Sequence, residues 1–278
     1  MAKSLGARPR ARGTAIDILA NHRLRLTVLG SSSSIPRPNR ACSCYLLQSG
    51  QATVVFDIGS GGFANLRQFV DYHRLDAVFL THMHADHFLD IIPLRYALKY
   101  GSLRRHGKLD LFLPPGGEAM LRKLVAAFFT EGDRDYLDEV FDVKTYDPGA
   151  AIEIKDLTLT FAPTIHFIEA YAIRAQVQNT SVVYSGDSAP SEELVALARG
   201  ANLFLCEATL GPYESETGVR GHCSAREAAL MAREAGVDSL VLTHYGSGIP
   251  PDELSDEARR HFNGDCGVAD DFLQLVVG

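Results

Sequence analysis

No stretch of this 278-residue chain approaches the roughly 18 consecutive apolar residues of a membrane span. The first 23 residues carry Lys3, Arg8, Arg10 and Arg12 but lack the continuous apolar run of a signal peptide, so a flexible N-terminal tail is expected over residues 1–23. Cysteine is sparse. Cys42, Cys44, Cys206, Cys223 and Cys266 are odd in number and contain no Cys-x-x-Cys pair, which argues against a disulfide framework and fits a reducing compartment. Excess positive charge is missing as well: a formal net charge of −7 argues against a surface that tracks nucleic acid throughout. Nor is there a polar linker long enough to divide the chain. The expectation is a soluble, cytoplasmic protein in which residues 24–278 form one domain, with 46% hydrophobic residues sufficing for a substantial core.

What is present from Leu24 onward is a succession of short β-branched and aliphatic runs punctuated by Gly and Pro. These predict strands at Leu24–Leu29, Tyr45–Leu47, Thr53–Ile58, Ala77–Thr81 and Leu109–Leu113. Helical spacing of apolar residues predicts helices over Phe88–Leu98 and Glu118–Phe129. Residues 130–150, rich in Asp and Glu, read as a surface excursion. The second half restarts with strands at Ala151–Ile154 and Leu157–Phe161 and a hairpin of Tyr171–Val177 and Ser181–Tyr184 turning at Gln178-Asn179. Helix Glu192–Ala198 is capped by Ser191, and strand Leu203–Cys206 follows it. Helix Ala225–Ala235 starts at a capping box of Ser224 and Glu227 and stops at Gly236. Strand Ser239–Thr243, helix Pro251–Phe262 and strand Phe272–Val276 complete an α/β pattern, most simply packed as two sheets with outer helices.

The chemistry concentrates in His82-Met83-His84-Ala85-Asp86-His87. Four candidate metal ligands fall within six residues, after an apolar strand and before an apolar helix. Three histidines and an aspartate have no packing reason to cluster, and a strand-to-helix turn aims them at neighbouring points. Further ligands follow strand ends: His166, Asp187 and His244. The seven are enough for two metals, His82, His84 and His166 on one, Asp86, His87 and His244 on the other, and Asp187 bridging. Imidazole and carboxylate donors suit two divalent ions, with Zn2+ favoured and Mn2+ or Fe chemically acceptable.

With these residues the chain resembles the metallo-β-lactamase superfamily, and within it the phosphodiesterase branch that includes ribonuclease Z and class II-like cyclic nucleotide phosphodiesterases. The similarity runs from about Leu24 to the C-terminus. Tyr184-Ser185-Gly186-Asp187-Ser188, Cys206-Glu207-Ala208-Thr209, Gly221-His222-Cys223-Ser224-Ala225 and Leu242-Thr243-His244 resemble that branch's motifs. The resemblance implies a four-layer αββα sandwich and a possible homodimer by analogy. It also implies that Asp57, in Phe56-Asp57-Ile58-Gly59, braces the metal loop without ligating metal.

His222 is assigned as the group that protonates a leaving alkoxide, with Glu207 orienting its ring; Asp86 is placed with them in the catalytic set as well as on the second metal. The expected reaction is hydrolysis of a phosphodiester by a metal-bridging hydroxide. Ribonuclease Z commonly inserts a protruding RNA-gripping arm between the positions matching His166 and Asp187. Here the predicted hairpin fills that short interval, which tilts the expectation to a small anionic phosphodiester such as a cyclic nucleotide. A ribonuclease Z-like transfer RNA endonuclease and a thioester or lactone hydrolase stand as alternatives. Gly30-Ser31-Ser32-Ser33-Ser34 is either a phosphate cradle or a tight turn beside the cleft. Arg104, Arg105, His106 and Lys108 either rim the cleft or form a solvated loop, and Cys42 and Cys44 read as core thiols.

Overall fold

The computed structural model describes residues 23–103, 105–128, 136–214 and 216–278. The N-terminal tail before Arg23, Arg104 and the acidic residues Glu131, Asp133 and Asp135 lie outside the described residues. Strands β1 (Leu24–Gly30), β2 (Cys44–Gln48), β3 (Thr53–Ile58), β4 (Ala77–Phe79), β5 (Leu109–Leu113) and β6 (Phe141–Thr145) run in order through one sheet, with the last strand, β14 (Gln274–Val277), outside β1. The second sheet runs β7 (Ile152–Ile154), β8 (Leu157–Pro163), β9 (Tyr171–Val177), β10 (Thr180–Tyr184), β11 (Leu203–Glu207), β12 (Ser239–Thr243) and β13 (Asp265–Val268). Each sheet is antiparallel on one side and parallel on the other, the change falling at β3 in the first and β10 in the second.

Alternation along the strands explains why two sheets stack. In β8, Leu157, Leu159 and Phe161 are buried while Thr158 and Thr160 between them are only partly so. They join Leu26, Val28, Tyr45, Phe56 and Phe79 of the first sheet and Ile173, Tyr184 and Leu205 of the second in one core between the sheets. A second core lies on the outer face of the first sheet, under α1 (Gly62–Leu66), α3 (Ile91–Tyr100) and α4 (Gly117–Val125). A third lies outside the second sheet, under α5 (Glu192–Ala198), α6 (Ala225–Ala235) and α7 (Pro251–Arg259). The result is the expected αββα order. No helix among the described residues is long and apolar enough to cross a membrane.

Two expectations need correction. Residues 130–150 are not merely an excursion: Tyr136, Leu137 and Val140 are buried, and Phe141 opens β6 at the sheet edge. Among the described acidic residues there, Asp138 pairs with Arg122, Glu139 with Lys99 and Asp142 with Lys144, so the charge of these three marks ion pairing and not exclusion from the fold. The helix expected over Phe88–Leu98 is divided into α2 (Ala85–Phe88) and α3. The break falls at Asp90, whose carboxylate turns away to accept the backbone N–H groups of Gly61 and Phe63 at the start of α1. The helices Gly62–Leu66 and Ala85–Phe88 and the strand Asp265–Val268 carried no recognisable sequence signal; each is five residues or fewer.

Candidate metal centre

The parallel strands β4, β10, β11 and β12 all end on one side of the sandwich; the segments after β4, β10 and β12 deliver His82, Asp187 and His244 to a common point, and β11 itself ends on Glu207. His84 is the N-cap of α2, Asp86 and His87 lie within that short helix, and His166 is on the loop after β8. Two backbone devices make the convergence possible. Gly59 must lack a side chain, because a Cβ there would meet the carbonyl oxygen of Asp86 at 1.8 Å. Asp57 and His244 adopt left-handed backbone conformations, with φ of 52° and 53°, which L-residues hold only where surrounding contacts compensate.

The donor atoms form two interlocking sets. In the first, His84 Nδ1 lies 3.1 Å from His82 Nε2 and 2.9 Å from His166 Nε2, with Asp187 Oδ2 at 3.7 and 3.9 Å from the latter two. In the second, Asp86 Oδ2 lies 3.2 Å from His244 Nε2 and 3.6 Å from His87 Nε2. Asp187 Oδ2 is also 3.4 Å from His87 Nε2, so this carboxylate adjoins both sets.

The opposite edges of the rings decide which nitrogens face inward. His87 Nδ1–H donates to Asp57 Oδ2 at 2.7 Å, and His166 Nδ1–H donates to the carbonyl of Gly221 at 2.8 Å. Thr81 donates its hydroxyl proton to Asp57 and so accepts from His82 Nδ1 at 3.0 Å. Thr209 donates to the carbonyl of His244 and accepts from His244 Nδ1 at 2.8 Å. In all four rings the outward nitrogen carries a proton and Nε2 faces the cluster, the orientation that outer partners impose on metal-binding histidines.

Protonation directions agree with this arrangement except at one ring. Burial, with neighbouring imidazoles adding to it, holds His82 well below its ordinary value, and burial lowers His84 and His166 as well. Burial would raise Asp86, but the hydrogen bond from His244 and the charge of His87 prevail and hold it at about 2. Asp187 is likewise held well below the carboxylate range by His244 and His87 against the effect of burial. His87 is the exception: burial opposes its charge, yet Asp187 and Asp57 raise it well above its usual value.

These donors fit a cation. His87 Nε2 and Asp187 Oδ1 are buried and make no hydrogen bond, a cost of about 1–3 kcal/mol per group that a bound ion would remove. Convergent lone pairs at 2.9–3.1 Å repel one another unless a proton or a cation lies between them. Every one of the seven residues expected as ligands lies in these sets.

Asp57 is fully buried and accepts from Thr81 N–H, Thr81 Oγ1, His87 Nδ1 and Tyr184 Oη, the last reaching it from the opposite sheet at 2.9 Å. It thus underlies the metal loop without entering it. Glu207 is also fully buried; its Oε1 accepts from Ser188 N–H at 2.8 Å and His222 Nδ1 at 2.9 Å, and its Oε2 from Thr209 N–H at 3.0 Å. Burial depresses His222, but the hydrogen bond and charge of Glu207 raise it to about 9. A donor nitrogen of His222 falls within 4.8 Å of donor atoms of Asp187 and His244, so the pair stands beside the cluster.

Other expectations resolve differently. Ser31 donates from N–H and Oγ to Asp271, and Ser32 donates to the carbonyl of Ile35, so the serine turn spends these groups internally. Lys108 directly precedes β5, and Arg105 donates to the carbonyls of His73 and Leu75 just before β4. Both therefore sit at the end of the sheet remote from His82. Cys42 and Cys44 are buried thiols, as expected. A cavity of about 650 Å³ between β13 and β14 lies at the starts of β11 and β12, also away from the histidines. Thr81, Thr209, Tyr184 and Gly221 receive no individual role from the sequence, although the last three stand inside the motifs that carry the resemblance. The two threonines adjoin candidate ligands along the chain; the parts played by Tyr184 and Gly221 depend on contacts 127 and 55 positions away, which no local pattern shows.

Residues 53–245 match the β-lactamase superfamily domain. The chain is 32% identical over 249 residues to the probable metallo-hydrolase YhfI of Bacillus subtilis, spanning 88% of this chain and 97% of that one. It is 28% identical to a ribonuclease Z of Methanothermobacter thermautotrophicus in an alignment of 306 positions, covering 91% and 97% of the two chains. The crystal structure of YhfI superposes with a TM-score of 0.80 at 29% identity, over 92% of this chain and all of that one.

Proposed function

The chain belongs to the metallo-β-lactamase superfamily of metal-dependent hydrolases, and from that premise we propose that it is a binuclear phosphodiesterase acting on a small anionic phosphodiester of cyclic-nucleotide type. The observation that carries the reading is the Glu207–His222 pair beside the seven-residue cluster. A bare metal cradle serves thioester or lactone hydrolysis equally well; an imidazolium beside it adds a proton for a poorly departing alkoxide.

Two ions are favoured by the donor count: His82, His84 and His166 would hold one, Asp86, His87 and His244 the other, and Asp187 would be shared. Imidazole-rich sets of this kind suit zinc best, with manganese or iron also acceptable. When bound, such cations supply Lewis acidity toward a phosphoryl oxygen and increase the acidity of water. The chain's own part lies in position and proton transfer. His222, charged below a pKa of about 9, gives its Nδ1–H to Glu207 and keeps Nε2–H for the leaving oxygen. Glu207 cannot swing away, because two backbone N–H groups hold it from the other side. Asp86, 12% exposed against 3% for Asp187, is the carboxylate placed to orient an attacking water.

Two features favour a small substrate. Between His166 and Asp187 the chain forms only the β9–β10 hairpin, closed by the two residues Gln178 and Asn179, with no protruding arm. The alignment with ribonuclease Z needs 306 positions against the 278 residues of this chain, so that relative carries segments absent here. A transfer RNA endonuclease is the second reading, favoured by the same relative's name. The test is to quantify bound metal and then assay an aryl phosphodiester, cyclic AMP and a precursor transfer RNA in parallel. Cleavage of the first two is expected. Inactivity of metal-replete protein on all three would refute the reading, and preference for the transfer RNA would establish the alternative.

A further inference from the structure

Phe167 follows His166 directly and is 51% exposed, yet it is seated against a fixed floor. Its ring lies against Gly221, where an added Cβ would approach ring atoms to 2.4 and 2.7 Å. That peptide is held on every side. Glu216 accepts from Gly221 N–H at 2.6 Å and from His222 N–H at 3.0 Å, while the carbonyl of Gly221 accepts from His166 Nδ1 at 2.8 Å. The ring also meets the imidazole of His166 at 5.2 Å and that of His222 at 5.7 Å between centroids. Single exposed apolar side chains are ordinary on protein surfaces. This one is distinguished by its place: half open to solvent, backed by immobilised backbone, and touching both a candidate metal ligand and the candidate proton donor.

We propose that Phe167, backed by Gly221, is the stacking platform for the aromatic base of the nucleotide-type phosphodiester, the residue through which this chain prefers such a substrate to a phosphodiester lacking a base. The inference rests on the phosphodiesterase reading above. Every base offers a π-face, so the platform selects for the presence of a base more than for its identity. Gly221 then has two roles, orienting His166 through its carbonyl and leaving room for the ring through its missing side chain.

The test is calorimetric titration of the metal-loaded protein with adenosine monophosphate and with ribose 5-phosphate, which differ by the base. The wild-type protein is expected to bind the former roughly tenfold more tightly, the lower range of base–aromatic stacking. Phe167→Leu keeps an apolar side chain but no π-face, and is expected to remove the difference; Phe167→Tyr is expected to retain it. Equal affinity of the wild-type protein for the two ligands, or full discrimination by Phe167→Leu, would overturn the proposal. Absence of turnover on every phosphodiester refutes the phosphodiesterase reading but not base stacking, whereas turnover without base preference refutes the platform alone.

Discussion

Asp57 illustrates how one residue supports a site it does not enter. Its carboxylate gathers four donors in the core, and its left-handed backbone is a conformation that Asn tolerates at least as well. Asp57→Asn therefore separates the charge from the backbone demand. The amide has a single acceptor oxygen and presents N–H donors to His87 Nδ1–H or Tyr184 Oη, so the His87 ring loses its orientation. A fall of roughly 10–100-fold in metal affinity is expected, the usual effect of removing such a partner, and a competition titration against a chromophoric chelator measures it. Unchanged affinity would show that the metal loop holds itself.

At His222 the prediction concerns pH. Glu207 raises its pKa to about 9, so the proton-donating form is present below that value and is lost as pH rises through it. A cation bound nearby disfavours a second positive charge, so in metal-loaded protein the alkaline limb of kcat should lie below about 9. His222→Ala is expected to lower kcat by roughly 10²–10⁴-fold and to abolish that limb while metal content is retained. A limb that survives the substitution belongs to another group.

Among the elements, legibility followed how local the determining interactions are. Thr53–Ile58, Leu109–Leu113 and Ser239–Thr243 lie where their apolar runs place them, and α6 has the limits set by Ser224, Glu227 and Gly236. These signals are contained within a few residues. The run from His82 to His87 is legible as a cluster of donor side chains for the same reason, whereas Tyr184, which backs Asp57, and Gly221, which backs His166, come from distant strands and loops. β6 was obscured because its acidic surroundings find their cations on α3, α4 and within the sheet, pairings invisible along the chain.

The α6 cap also adjoins the site. Ser224 accepts from Glu227 N–H, Glu227 accepts from Ser224 N–H, and Arg220 pairs with Glu227 at 2.8 Å, bracketing the segment that carries His222. Ser224→Ala is expected to cost about 1 kcal/mol of stability in denaturant titration, the ordinary value of an N-cap. Activity should fall by more than the small change in folded fraction explains, because Arg220 and Glu227 lose part of their anchor. Full specific activity would mean that Glu207 alone positions His222.

On the scale of the whole molecule, the candidate metal centre joins the two sheets. His82, His84, Asp86 and His87 follow β4 of the first sheet, and His166, Asp187 and His244 follow β8, β10 and β12 of the second. Hydrogen bonds already cross the same boundary, Tyr45 Oη to Thr243 Oγ1 at 2.8 Å and Tyr184 Oη to Asp57 at 2.9 Å, over a continuous apolar core. The core does not depend on the ions, so the metal-free chain should stay folded. Loading adds stability by mass action, about 2.7 kcal/mol at a free metal concentration 100 times Kd, together with relief of the lone-pair repulsion. Calorimetry should therefore show Tm rising with zinc concentration and falling with chelator, while far-ultraviolet dichroism stays nearly constant. Because His87 holds a proton that a cation must displace, the stabilisation should shrink as pH falls. A Tm independent of metal at neutral pH would mean that the seven side chains stabilise their arrangement unaided, and the two-ion reading would fail with it.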